Sequence, residues 1–335
     1  MDIKNLLFRL CETSGASGSE RPVSELALTM LKEYCPSAEI NNGNVIGRFG
    51  EFAENKPLLV LDAHSDQIGM IVTYITDDGF IKVGSLGGID RRLLPAQRVV
   101  IHGKTDIKGV ICSVPPHLAK GGEKVLSFDE VAIDTGMTKS ELENIVSLGD
   151  VITFDVKCRE LLNNRITGGA MDDRSGMVAI LRTLDLLRNQ STKYNVTVIF
   201  SAQEELGERG AKIGAFEINP DIAIAVDVSF ACSFGENEEK CGYLGKGAMI
   251  GISPSLSREI SEELISTAKN KDIPYQIEVM NGLTSTNADR YSVNREGAKT
   301  CTVSIPLRNM HTPVEVIDIA DVENTARLLA EFIKR

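Results

Sequence analysis

The chain has 335 residues, of which 42% are apolar and 25% charged, an ordinary globular composition that excludes global disorder. Its 36 Lys and Arg against 47 Asp and Glu leave a net charge of −11, so no basic excess exists to neutralise phosphates and nucleic acid is not expected as a partner. No apolar run approaches the roughly 20 residues of a membrane helix, and the N-terminal MDIKNLLFRLCETSG lacks the continuous apolar core of a signal peptide. Seven widely spaced cysteines without a C-x-x-C pair argue against a disulfide framework or a Cys-rich zinc site. They read as buried thiols in a reducing cytoplasm.

Taken in chain order, Ile3, Leu6, Leu7 and Leu10 have the spacing of an amphipathic helix. A second helix is predicted over 20–34, and strands over 44–49 and 57–64. From 67 to 160 the texture changes to short β-type segments separated by Gly, Pro and Asp, which predicts a small barrel or sandwich. One helix is expected after Thr138, where Thr138-x-x-Glu141 has the form of a capping box. Beyond this the rhythm is helix–strand alternation: helix 174–189, strand 195–201, strand 221–228, helix 257–270, strand 299–304 and helix 319–334. Such alternation predicts an α/β sheet flanked by helices. The first 66 residues share it, so residues 1–66 and 161–335 read as one domain interrupted by an insertion at 67–160.

Metal-capable side chains gather just past the apolar runs. The strand near 58–63 ends in His64-Ser65-Asp66. Asp172 and Asp173 sit between a glycine-rich turn and a helix start. The strand near 196–201 runs into Glu204-Glu205. Asp227 closes the run 222–226, and His311 follows the strand near 301–305. A single histidine after a strand is usually structural, and an acidic pair at a helix start is usually a cap. Five strand ends carrying such groups point instead to a site beyond the C-terminal edge of a parallel sheet. Mixed imidazole and carboxylate donors suit zinc, cobalt or manganese, and two histidines with several carboxylates suffice for two divalent ions. Gly121-Gly122 after Lys120 reads as a turn, because no phosphate-loop pattern surrounds it.

The motifs LDAHSDQIGMIV (61–72), GGIDRRLLPAQRVVIHG (87–103), GVICSVPPHL (109–118), MDDRSG (171–176), SAQEELGERGA (201–211), AIAVDVS (223–229) and IPLRNMHTPVEV (305–316) resemble, in order, those of the tetrahedral (TET) aminopeptidases. That family also contains glutamyl aminopeptidases and proteins labelled cellulase M. The resemblance implies a three-layer α/β/α peptidase domain with an inserted PDZ-like β-rich domain, acting as a metal-dependent aminopeptidase on peptides. It implies His64 and Asp227 on one ion, Glu205 and His311 on the other, and Asp172 between them. Glu204 is then the general base, Asp66 orients His64, and Asp173 fixes the turn that aims Asp172. It further implies assembly through dimers into a homo-dodecamer, the inserted domain contributing contacts.

Two departures bear on substrate preference: Gln67 stands where family members usually have Glu, and Asn287 where many have Asp in a segment expected near the pocket. His102 and His117 read as structural. Rival readings are a metal-dependent deacylase or carboxypeptidase, with Arg174 or Arg209 as the cation for a terminal carboxylate, an endoglucanase, and a non-catalytic peptide-binding scaffold. The endoglucanase reading fits poorly with a chain that has no Trp and 5% aromatic residues, since sugar-binding surfaces are usually aromatic, and the chain's best carboxylates sit where metal ligands are expected rather than flanking a glycosidic bond.

Overall fold

A computed structural model describes residues 1–115, 117–118, 125–235 and 237–335. The Gly121-Gly122 turn and Pro116 of the 109–118 motif lie outside the described residues. In chain order, helices α1 (Ile3–Cys11) and α2 (Arg21–Leu31) precede strands β1 (Glu39–Asn41), β2 (Asn44–Phe49) and β3 (Leu58–His64). Six strands then follow: β4 (Gly69–Ile75), β5 (Ile81–Leu86), β6 (Arg98–His102), β7 (Asp106–Ile111), β8 (Ala132–Asp134) and β9 (Val151–Phe154), with α3 (Lys139–Glu143) between the last two. The capping box at Thr138 and Glu141 starts α3 as expected. The remainder comprises β10 (Arg159–Glu160), β11 (Arg165–Gly168), α4 (Met171–Leu187), β12 (Asn195–Ser201), α5 (Arg209–Ile218), β13 (Ile222–Phe230), β14 (Ala248–Ile252), α6 (Arg258–Asn270), β15 (Tyr275–Val279), α7 (Ala288–Ser292), β16 (Lys299–Leu307), β17 (Glu315–Asp318) and α8 (Ile319–Ile333).

Eight strands form one sheet in the order β1-β2-β12-β3-β13-β16-β14-β15. Its centre, β12-β3-β13-β16, is parallel, so four C-terminal strand ends open on the same edge. Central parallel strands are covered on both faces and therefore read as continuous apolar runs. In β3, Leu59, Leu61 and Ala63 join the large core shared with α1, α2, α4, α6 and α8. Val60, of opposite parity, joins Ile199 and Tyr291 in a smaller core with Ala211 and Ala215 of α5. The layers are thus helix, sheet, helix. The α/β class and three-layer form inferred from the resemblance match this architecture.

Strands β4 to β9 close into a barrel in the order β4-β5-β8-β7-β6-β9. Met70, Val83, Ile101, Ile133 and Ile152 pack inside it as a separate core. Closure leaves no sheet edge to be managed. His102, on β6, is held by Asp106 Oδ1 (2.9 Å), Thr153 Oγ1 (2.9 Å) and Ser14 Oγ (3.1 Å), which is a structural role. Among the described residues no helix is long and apolar enough to cross a membrane.

Candidate metal centre

The sheet delivers the chemistry at one edge. His64 is the last residue of β3, Asp227 lies near the end of β13, and Glu204 and Glu205 follow β12. His311 follows β16, and Asp172 sits in the first turn of α4, with non-helical φ −77° and ψ 106°. The Asp172–Asp173 peptide bond is cis. Ala170, Gln203 and His311 hold left-handed φ values of 58°, 55° and 60°, the backbone strain that collects where side chains must be aimed.

The Asp172 carboxylate lies between two imidazoles. Its Oδ1 is 2.9 Å from His64 Nε2 and its Oδ2 is 3.4 Å from His311 Nε2. Glu205 Oε1 is 3.3 Å from the same His311 nitrogen. Ligand atoms of His64, Asp172 and Glu205 all fall within 4.8 Å of one another. Asp227 and Glu204 line the same cavity, of about 1040 Å³.

Both rings are turned by backbone carbonyls: His311 Nδ1 donates to Gly88 O (2.8 Å), and His64 Nδ1 lies 3.1 Å from Asp66 O. Each Nε2 is thereby left for the centre, the arrangement that fixes a ligating imidazole. Residue 88 must be glycine here, because a Cβ would stand 2.8 Å from His311 Nδ1.

Asp66 has a wider role than the orientation of His64. Its carboxylate is 3.5 Å from His64 Nδ1, and its own carbonyl is nearer still. In addition, Oδ1 accepts the N–H of Glu204 (2.9 Å), and Oδ2 accepts the N–H of Glu205 (3.2 Å) and the hydroxyl of Ser17 (2.5 Å). Asp66 therefore positions the glutamate pair more directly than the imidazole. Asp173 is fully buried and its Oδ1 accepts the Gly176 N–H at 3.0 Å, while Oδ2 has no partner among the described residues.

Glu315 is a participant that the sequence reading overlooked. Its Oε2 accepts the N–H groups of Met171 (2.8 Å) and Asp172 (3.4 Å), and its Oε1 accepts that of His311 (3.0 Å). One buried carboxylate thus staples the two ligand-bearing loops together. The signal was its place four residues after His311 within the 305–316 motif.

The electrostatics show an unbalanced site. Burial pushes Glu204 up to about 9 and Asp227 up to about 7, each aided by neighbouring carboxylates. Burial also opposes charge on Asp172, but the hydrogen bonds from His311 and His64 outweigh it and hold that carboxyl below the usual range. The same bonds, with Glu205 at His311 and Asp66 at His64, outweigh burial at His311, which rises to about 11, and at His64, which rises well above its ordinary value. Four carboxylates face two imidazoles in a largely buried space, a deficit of positive charge that divalent cations remedy. Nitrogen and oxygen donors of this kind fit zinc-like ions.

Arg174 is not available to a substrate. It is fully buried, and donates to Leu10 O (2.8 Å), Thr13 O (3.3 Å) and Gln67 Oε1 (3.4 Å). Arg209 Nε donates to Gln203 Oε1 (2.8 Å), and neither arginine lines the cavity. The carboxypeptidase reading loses both of its cations. Asn287 is also not where the sequence suggested: Thr284 to Thr286 line the cavity, but Asn287 turns inward. Its Nδ2 donates to Asp62 Oδ1 (3.0 Å) and Ser201 Oγ (2.8 Å). An amide supplies donors there beside a carboxylate that is already buried.

An α/β/α sheet with imidazoles and carboxylates gathered beyond its parallel strand ends is the architecture of a metallohydrolase. The chain belongs to the M42 glutamyl aminopeptidase family, whose model matches residues 43–328, and is a metal-dependent aminopeptidase. It is 32% identical over 337 residues to a lysyl aminopeptidase of Pyrococcus furiosus, covering 98% of this chain and 96% of that one. Among solved structures, aminopeptidase APDkam598 of the archaeon Desulfurococcus kamchatkensis superposes with a TM-score of 0.93 at 36% identity, covering 99% of this chain and 94% of that one. The TET1 peptidase of Pyrococcus horikoshii, described as assembling into a tetrahedron or a large octahedral shell, matches with a TM-score of 0.87 at 29% identity over 100% of both chains.

Proposed function

We propose that the protein removes N-terminal residues from peptides with about two divalent ions per chain, zinc above cobalt or manganese. His64 and Asp227 would hold one, Glu205 and His311 the other, with Asp172 shared. The observation that carries this reading is the Asp172 carboxylate, which offers one oxygen towards each histidine at 2.9 and 3.4 Å. When bound, such ions polarise the scissile carbonyl and acidify water.

The residues of the chain do the rest. Glu204 accepts the proton of the attacking water on a carboxylate oxygen and returns it to the leaving amine. In the metal-free site burial holds its carboxyl at about 9. Cation charge beside it lowers that value towards the range where a base operates near neutral pH. Asp66 holds the Glu204 and Glu205 backbone in place so that one side chain serves as ligand and the other faces the water. The carboxylates beside the ions, at the Asp227 end of the cavity, receive the substrate's free α-ammonium, which confines cleavage to the first peptide bond.

The reading extends to residues 1–66 and 161–335 as a catalytic domain and 67–160 as an inserted domain that contributes to assembly. A homo-dodecamer built from dimers is the proposed state, by likeness to TET1. Buried thiols such as Cys35 and Cys301 fit a reducing cytoplasm.

The test is a screen of aminoacyl anilides, free and N-acetylated, on metal-stripped protein with Zn, Co or Mn restored. Metal-dependent release from the free amines alone is expected. Equal rates on acetylated substrates, or activity undiminished by chelation, would overturn the reading.

A further inference from the structure

Glu278 is a carboxylate in the cavity wall for which the hydrolytic machinery has no use. It lies on β15, the last strand of the sheet, and reaches back over its neighbours. Its Oε1 accepts the hydroxyl of Ser229, and its Oε2 accepts that of Ser304 at 3.0 Å. Ser229 stands two residues beyond Asp227 on β13, on the same face, and Ser304 pairs with Asp227 across β16. The carboxylate is therefore anchored by the two hydroxyls that flank Asp227, roughly 5–7 Å from it by strand spacing and rise.

What surrounds Glu278 indicates what it would accept. Burial pushes its carboxyl up and only the two serine hydroxyls oppose this; no charged neighbour contributes. Among the described residues lining the cavity, Lys240 is the sole lysine or arginine. Glu208, a second carboxylate of the wall, is already paired with Arg290 at 2.7 Å. Apolar side chains, Met249, Met280 and Leu283, line the same cavity. A cavity that combines an apolar lining with an uncompensated carboxylate matches an aliphatic stem with a cationic tip.

We infer that Glu278 selects a cationic N-terminal side chain, so that the substrates are peptides beginning with Lys or Arg. The inference rests on the aminopeptidase reading above, in which the α-ammonium sits at the Asp227 end of the cavity.

The test compares kcat/KM for Lys-, Arg-, Leu- and Glu-anilides on the metal-loaded protein, with calorimetric binding of L-lysinamide and L-norleucinamide, which differ by the terminal ammonium. Lys and Arg should exceed Leu and Glu. In Glu278→Gln the Lys-to-Leu ratio should fall roughly 10- to 100-fold, as for a charged hydrogen bond lost in a buried site, and the preference for lysinamide should vanish. Glu278→Asp should retain part of both, which a merely structural carboxylate would not show.

Preference for Leu or Glu in the wild type would overturn the assignment, as would an equal loss for Lys and Leu in Glu278→Gln by both measurements. Absence of all turnover, with the lysinamide preference present and lost in Glu278→Gln, would refute the aminopeptidase reading and leave the assignment standing. Turnover without cationic preference would do the reverse.

Discussion

Asp66 Oδ1 accepts the backbone N–H of Glu204 at 2.9 Å, which ties the end of β3 to the loop carrying the proposed base. The other oxygen takes the N–H of Glu205 at 3.2 Å. A single carboxylate thus sets the backbone from which the base and a ligand diverge, while its carbonyl turns His64.

Replacing Asp66 with Ala should therefore disturb both functions of the glutamate pair. Expected is a loss of roughly 10- to 100-fold in metal affinity or activity, the range for supporting groups behind a metal ligand. Metal titration and steady-state kinetics on the purified variant provide the check. Values within twofold of wild type would show that Asp66 has no positioning role.

Glu315 leads to a prediction about stability. Glu315→Ala would leave the N–H groups of Met171, Asp172 and His311 without their acceptor. Each buried donor left unpaired costs about 1–3 kcal/mol. Allowing for relaxation, the metal-free protein should lose on the order of 3 kcal/mol, read from urea unfolding, and its metal affinity should fall. A change below about 0.5 kcal/mol, the level of a neutral surface substitution, would contradict this.

Metal uptake should release protons. Burial opposes charge on both rings, but hydrogen bonds with Asp172, joined by Asp66 at His64 and by Glu205 at His311, outweigh it and raise His64 well above 6.5 and His311 to about 11. For a group raised in the folded state, the stabilisation is complete below the unfolded value near 6.5 and is lost as pH climbs through the folded value. The metal-free site therefore keeps both imidazoles charged at neutral pH, and a cation must displace those protons. Glu204, held at about 9, and Asp227, at about 7, carry further protons that cation charge expels, so roughly three protons per chain should appear on metal binding at pH 7, measurable by calorimetry in buffers of different ionisation enthalpy. Apparent affinity should increase with pH. Affinity independent of pH, with no proton release, would contradict the assignment of both histidines.

The fold and the site were legible to different depths. His64, Asp227 and the Glu204-Glu205 pair stood out because each follows an apolar run, and Asp172 because it stands between a glycine-rich turn and a helix start. Helix α5 escaped notice because Gly210 and Gly214 weaken its helical signature. Gly210 is required for close packing, since a Cβ would lie 2.3 Å from Ala202 O, and at position 214 a Cβ would lie 2.4 Å from Ile199 Cδ1, the end of a side chain that would have to shift. Closure of the barrel depends on β4 meeting β9, a pairing distant in sequence that no local pattern encodes. Glu315 and Asp66 act through backbone N–H groups, which carry no residue-type signature. Glu278 was invisible because its meaning comes from strand order, which brings Ser229 and Ser304 to it.

The central claim, that Glu204 is the base and Glu205 a ligand, is tested most directly by measuring bound metal and steady-state kinetics for Glu204→Gln and Glu205→Gln side by side. The amide of Glu204→Gln cannot accept the proton of water. Its metal content should therefore stay near that of the wild type while kcat falls by roughly 10²–10⁴-fold, the loss typical of a general base. Glu205→Gln should lose metal. If Glu204→Gln instead loses metal while Glu205→Gln keeps it, the two roles are reversed, and near-normal kcat in Glu204→Gln would contradict the mechanism itself.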